Sequence, residues 1–199
     1  YVALKNRYKR EYAKGLSGDA AQEARQDIED FFTHYVEAGY NKLNRLTGFL
    51  KQDLGSGRTV QIQVRGFCSP LNTNEYNINL ARRRISSLKR YLEIVNDSAL
   101  APYVNGYAEN GARLLIFEDP VGEERANPFV SDNPNDIRNS IYSRAAAFER
   151  RIEIVMYTSG ADSNLVLLSE APVIITEPVV YGDTLSIGDR VVKKVTMQN

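Results

Sequence analysis

The chain has 199 residues, 43% of them hydrophobic and 25% charged, with 25 basic against 25 acidic side chains and so no formal net charge. That balance suits a soluble globular chain of one large domain, or a compact domain with a small appendage. It argues against a nucleic-acid binder, which needs a basic face, and no apolar run reaches the roughly 18 residues that would insert this segment in a membrane.

Residues 1–16 are basic, tyrosine-rich and without clear period, either a short helix or an extended lead-in. From about Gly18 a helical pattern sets in, with Ile28, Phe32, Tyr35, Val36, Leu43, Leu46 and Leu50 on one face. Ser17 or Asp19 is the expected cap, Gly39 a bend or break, and Gly55 with Gly57 the stop. Val60, Ile62 and Val64 then alternate with Gln61, Gln63 and Arg65 in a half-buried strand over 58–67. A loop over 68–75 leads into a helix from about Tyr76 to Asn96. A second strand is expected over 113–117, a polar loop over 118–134, a short helix over 135–148 and a third strand over 151–157. Beyond Gly160 the β-branched runs and the Gly182-Asp183 turn signal read as a β-hairpin that either completes the sheet or serves a partner surface. The resulting fold class is α+β, a sandwich with helices on one face of the sheet and a C-terminal β-hairpin extension. The divisions are a lead-in at 1–17, a main domain at 18–158 and a β-rich extension at 159–199.

Reactive residues are scarce. A single cysteine, Cys68, precludes an internal disulfide and a multi-cysteine zinc site; a single histidine, His34, removes most imidazole chemistry. His34 reads as a helix-surface residue and Cys68 as a small buried thiol rather than a nucleophile. The common hydrolase, nucleotide and zinc-protease motifs are missing, so no enzyme, catalytic residue, metal site or cofactor is expected. Because the chain starts at Tyr1 with no signal-like stretch, it reads as an excised piece.

The helix over 76–96 carries the strongest chemical signal. At 100° per residue, Leu80, Ala81, Ile85, Leu88, Tyr91, Leu92 and Val95 share one arc, with Arg82, Lys89, Arg90 and Glu93 opposite. Asn77 and Arg84, two turns apart, fall near the middle of the apolar arc. An arginine stays protonated, and a buried guanidinium without partners costs several kcal/mol. Arg84 is therefore either a satisfied bridge between helix and sheet or a carboxylate-binding group at a pocket, with Asn77 at the helix mouth.

The run Gly66-Phe-Cys-Ser-Pro-Leu-Asn-Thr-Asn-Glu-Tyr-Asn-Ile-Asn-Leu-Ala-Arg-Arg-Arg-Ile-Ser-Ser-Leu88, followed by Phe148-Glu-Arg-Arg-Ile152, resembles the signature of OmpA-like C-terminal peptidoglycan-binding domains. That family reads G-H-T-D, then a Y-N-x-x-L-S-x-x-R-A helix, then N-R-R before the last strand. The likeness spans roughly 55–158, and the Ser-Pro loop with its long insertion is similar to the form common in Bacteroidota cell-envelope proteins. It implies a mixed sheet in a two-layer sandwich and binding of the diaminopimelate residue in the peptidoglycan stem peptide. The carboxylate-binding arginine falls on Arg84, the helix-mouth asparagine on Asn77, the apolar contact on Leu80 and the first arginine of the terminal pair on Arg150. The family's ammonium-binding aspartate falls on Ser69 and its histidine on Phe67, which leaves Glu75 and Glu149 as candidate replacement acids. No match to the first family strand is visible; it lies upstream of Tyr1, or the 173–197 hairpin fills its place. The resemblance implies a periplasmic domain, associated with the outer membrane, that ties its host to the wall and has other envelope or secretion-system proteins as further candidate partners. The alternative is an assembly domain that kept the fold and lost the ligand. Glu118-Asp119 and Arg82-Arg83 read as ordinary surface charge.

Overall fold

The computed structural model describes residues 2–159, together with 166–167 and 173–175. Helices α1 (Val2–Tyr12) and α2 (Gly18–Phe31) open the chain. Ser17 holds the N-cap position of α2 in extended backbone, without a side-chain capping bond. The long helical pattern then breaks at a π-helical turn, Phe32–Glu37, before α3 (Ala38–Gly55) resumes it. The interruption thus falls ahead of Gly39, which is itself helical and buried in α3, and the extra residue of the π-turn rotates the buried face between the two helices. His34 lies exposed on this turn, with Nδ1 2.8 Å from the Asp30 carbonyl oxygen.

Strand β1 (Val60–Phe67) shows the expected alternation, with Val60, Ile62 and Val64 fully buried. Helix α4 (Asn74–Ser98) follows, its N-cap Thr73 accepting from the Tyr76 N–H. The helical backbone gives way at Val95, and Asn96 and Asp97 take positive φ. After the short α5 (Ala101–Val104) comes β2 (Leu114–Gly122), parallel to β1. The β1–α4–β2 crossover lays α4 over the sheet.

Two expectations need correction. The stretch starting at Glu118 is strand rather than loop as far as Gly122. Pro120 is tolerated because β2, among the described residues, is an edge strand bonded only to β1. The helix expected over 135–148 is a π-helical turn, Arg138–Tyr142, and a separate α6 (Arg144–Phe148). Ser143 adopts extended backbone between them and caps α6 by accepting from the Ala146 N–H.

Strand β3 (Arg151–Ser159) pairs antiparallel with β1, so the sheet is mixed. Two short strands, β4 (Val166–Leu167) and β5 (Val173–Ile175), pair antiparallel with the other edge of β3. The rest of the expected hairpin, including Gly182-Asp183, lies outside the described residues.

The main core joins Leu43, Leu46, Leu50 and Leu54 of α3 and Ile85, Leu88 and Leu92 of α4 to Val60, Ile62 and Val64 of β1. Both long helices therefore cover the same face of the sheet, an α+β arrangement compatible with a sandwich. A second cluster gathers Tyr8 of α1, Ile28, Phe31 and Phe32 around Ile141, Tyr142 and Ala147. The lead-in residues thus form a helix docked on the body of the protein. Among the described residues, no helix is long and apolar enough to cross a membrane.

Candidate functional site at the start of helix α4

The apolar face of α4 is the one its periodicity describes: Leu80, Ala81, Ile85, Leu88 and Leu92 are buried, and Asn77 and Arg84 are buried among them. Arg84 is 6% exposed. Its Nη1 donates to the Phe67 carbonyl at 2.6 Å and to Cys68 Sγ at 2.9 Å. Both acceptors belong to the turn leaving β1, which approaches α4 closely at Gly66. A Cβ on Gly66 would sit 2.8 Å from the Ala81 carbonyl oxygen. That closeness lets a side chain rooted in α4 reach the end of the strand.

Burial pulls the Arg84 guanidinium down to about 10; the Arg150 charge adds to the effect, while Cys68, Tyr8 and Tyr76 oppose it. Among the described residues, no carboxylate pairs with Arg84. Cys68 is also buried, and its Sγ donates to the Asn77 carbonyl at 3.1 Å. Burial raises this thiol's pKa, Arg84 pulling the other way. A buried, protonated thiol is a weak nucleophile, so this position holds the turn against the helix.

Asn77 is 1% exposed, and its Nδ2 donates to the Asn72 carbonyl at 3.2 Å and to Glu123 Oε2 at 2.5 Å. Leu80 packs with Cys68 and Ala81, and the buried Ser69 is next in the turn. Arg84, Asn77 and Leu80 are therefore joined through Cys68 where the β1 turn runs into α4, and Ser69 follows Cys68 in that turn. Glu75 is exposed in the first turn of the helix.

Arg150 lies within electrostatic reach of Arg84 but is held by other elements. It is 1% exposed; Nη2 donates to the Tyr8 hydroxyl at 3.1 Å and to the Ile141 carbonyl, and Nη1 to the Ser140 carbonyl at 3.4 Å. The Arg151 guanidinium lies over the ring of Phe67, at the family's histidine position, 3.9 Å from its centroid, and 4.5 Å from the centroid of Phe148. Arg151 also pairs with Glu153 at 2.6 Å and lies 3.5 Å from Glu149 Oε2. Burial raises the Glu149 pKa, with Arg151 opposing. Glu149 lines a different hollow, a cavity of about 410 Å³ with Tyr12, Asp27, Tyr35, Arg144 and Phe148. Asp119 pairs with Arg65 at 3.0 Å, and Arg83 lies over the Tyr76 ring at 5.6 Å.

No family model, curated protein or solved structure matches this chain.

Two participants escaped the sequence reading. Glu123 reaches Asn77 from 46 positions away, and Tyr8 reaches Arg150 from 142 away. Neither contact has a local signature, because each depends on how loops and helices close on one another.

Proposed function

We propose that this chain binds peptidoglycan without making or breaking a bond, through the diaminopimelate residue of the stem peptide. It thereby anchors an envelope protein to the wall, in the periplasm and associated with the outer membrane. The observation that carries the reading is the Arg84 guanidinium: buried on an apolar helix face, bonded through Nη1 to a carbonyl and a thiol, and lacking a carboxylate among the described residues. A desolvated cation in that state gains strongly from an acid that reaches it. In this reading Arg84 grips a ligand carboxylate, Asn77 and Ser69 offer polar groups at the mouth, Leu80 lies against the ligand's methylenes, and Arg150 adds positive potential from behind.

The finer fold, an OmpA-like domain, belongs to the same proposal and rests on the G-F-C-S, Y-N-x-x-L and E-R-R motifs in their order along the chain. A weak site suffices for anchoring, because the wall presents many ligands and a tethered domain meets them at high effective concentration. Sedimentation with insoluble peptidoglycan tests the proposal: wild-type protein is expected in the pellet and Arg84→Ala in the supernatant.

Exposed aromatic side chains favour a second reading as an assembly domain. Phe117 on β2 is 50% exposed and Phe129 in the following loop 90%. Titration with a stem tripeptide separates the two: chemical-shift changes at α4 belong to the wall-binding reading, their absence at millimolar ligand to the assembly reading.

A further inference from the structure

Strand β2 ends on Gly122, whose φ of +65° is costly for any residue with a Cβ. A Cβ there would also come 2.9 Å from Ile78 Cδ1 in the first turns of α4. The Gly122 carbonyl accepts from the Cys68 N–H at 2.7 Å, which fastens the end of β2 to the turn that binds Arg84. The next residue, Glu123, is thereby delivered to the side chain of Asn77. Its Oε2 accepts from Asn77 Nδ2 at 2.5 Å, while Oε1 has no hydrogen-bond partner among the described residues. Glu123 is half-buried. Its charge and that of Arg84 both act on the Cys68 thiol, in opposite senses. Arg84 and Glu123 form no ion pair with each other among the described residues. The site thus presents a cation and an anion, each with capacity to spare, with the Asn77 amide at the anionic end.

Such a pair suits a ligand that carries both charges on one end. We infer that Glu123 is a ligand-contacting residue of the Arg84–Asn77 site and receives an ammonium group, so that the site takes an amino-acid head rather than a bare carboxylate. The inference rests on the proposed reading of Arg84 as the carboxylate grip. Glu123 then selects for the distal amine of the diaminopimelate residue, which stands beside the carboxylate that Arg84 holds.

The test is calorimetric titration of the whole chain with two stem tripeptides. One ends in meso-diaminopimelate; the other ends in 2-aminopimelate, which keeps the distal carboxylate and lacks the distal amine. Wild-type protein is expected to prefer the first. Glu123→Gln, with thermal melting to verify its fold, is expected to bind the first roughly ten- to a hundredfold more weakly and the second within about twofold of wild type. Undiminished binding of the diaminopimelate peptide by Glu123→Gln overturns the inference and leaves the wall-binding reading standing. An equal loss for both peptides assigns Glu123 to holding Asn77 in place and also overturns it. If wild-type protein binds neither peptide, the reading of Arg84 falls and the inference with it.

Discussion

The Cys68 thiol ties Arg84 to the rest of its own helix: Sγ accepts from Arg84 Nη1 at 2.9 Å and donates to the Asn77 carbonyl at 3.1 Å. One small polarisable side chain thereby fixes a guanidinium at one end of a two-turn span and the strand-to-helix turn at the other. Burial keeps the thiol protonated by raising its pKa. In the folded protein Cys68 is expected to resist alkylation at pH 8 and to react fully in denaturant, as mass spectrometry would register. Cys68→Ala leaves Nη1 with a single acceptor and is expected to cost about 1–3 kcal/mol in denaturant unfolding.

Gly66→Ala is expected to destabilise the protein by about 1–3 kcal/mol, because the new methyl meets backbone rather than a side chain that can swing away. The Ala81 carbonyl oxygen would lie 2.8 Å from it, so α4 must move off β1. That displacement also draws Arg84 away from Phe67 and Cys68. A loss of ligand binding beyond the loss of stability, measured well below the melting temperature, would report it.

The strand and helix faces were legible because burial imposes a local period on them: alternation in Val60, Ile62 and Val64, and the arc of Leu80, Ile85, Leu88 and Leu92 with Arg84 set inside it. Misreadings cluster where a local cue is outvoted. Pro120 looks like a strand breaker and is harmless in a strand that is an edge among the described residues. The stretch 135–148 looks like one helix, but Ser143 turns extended and starts a new one by capping it. Residues 2–12 gave no clear period because the helix buries chiefly one side chain, Tyr8. Half of the candidate site, Arg84 with Asn77, was visible as polar residues on an apolar face. Glu123 was not, since only the left-handed turn at Gly122 and a contact across 46 residues bring it there.

Glu149 is buried, and its pKa is raised by that burial. An acid with a raised folded-state pKa holds its proton more tightly folded than unfolded. Its effect on stability therefore becomes unfavourable as pH climbs from the unfolded value near 4.5 through the folded one. Glu149→Gln is expected to be more stable than wild type at pH 7, with the advantage shrinking as pH falls toward 4.5. Arg151 keeps Glu153 as its partner in the variant. Thermal melts of both proteins across that range check the sign.

Arg150 contributes in a different way from Arg84. Its guanidinium closes the seam between α1, the Ser140–Ile141 carbonyls and β3. Arg150→Ala strands several buried acceptors together and is expected to cost about 3–5 kcal/mol. Tyr8→Phe removes a single hydroxyl from that seam and is expected to cost about 1 kcal/mol. Urea unfolding of the two variants would show whether the ranking holds.

The most direct measurement pairs stability with wall binding for Arg84→Met. Burial pulls the guanidinium's pKa down to about 10, so keeping it charged opposes folding at every pH below that lowered value. Replacing it with an apolar side chain of similar length is expected to leave stability at pH 7 unchanged or raise it by up to about 2 kcal/mol, while co-sedimentation with peptidoglycan disappears. A variant that stays folded and still pellets with the wall like the wild type would contradict the account.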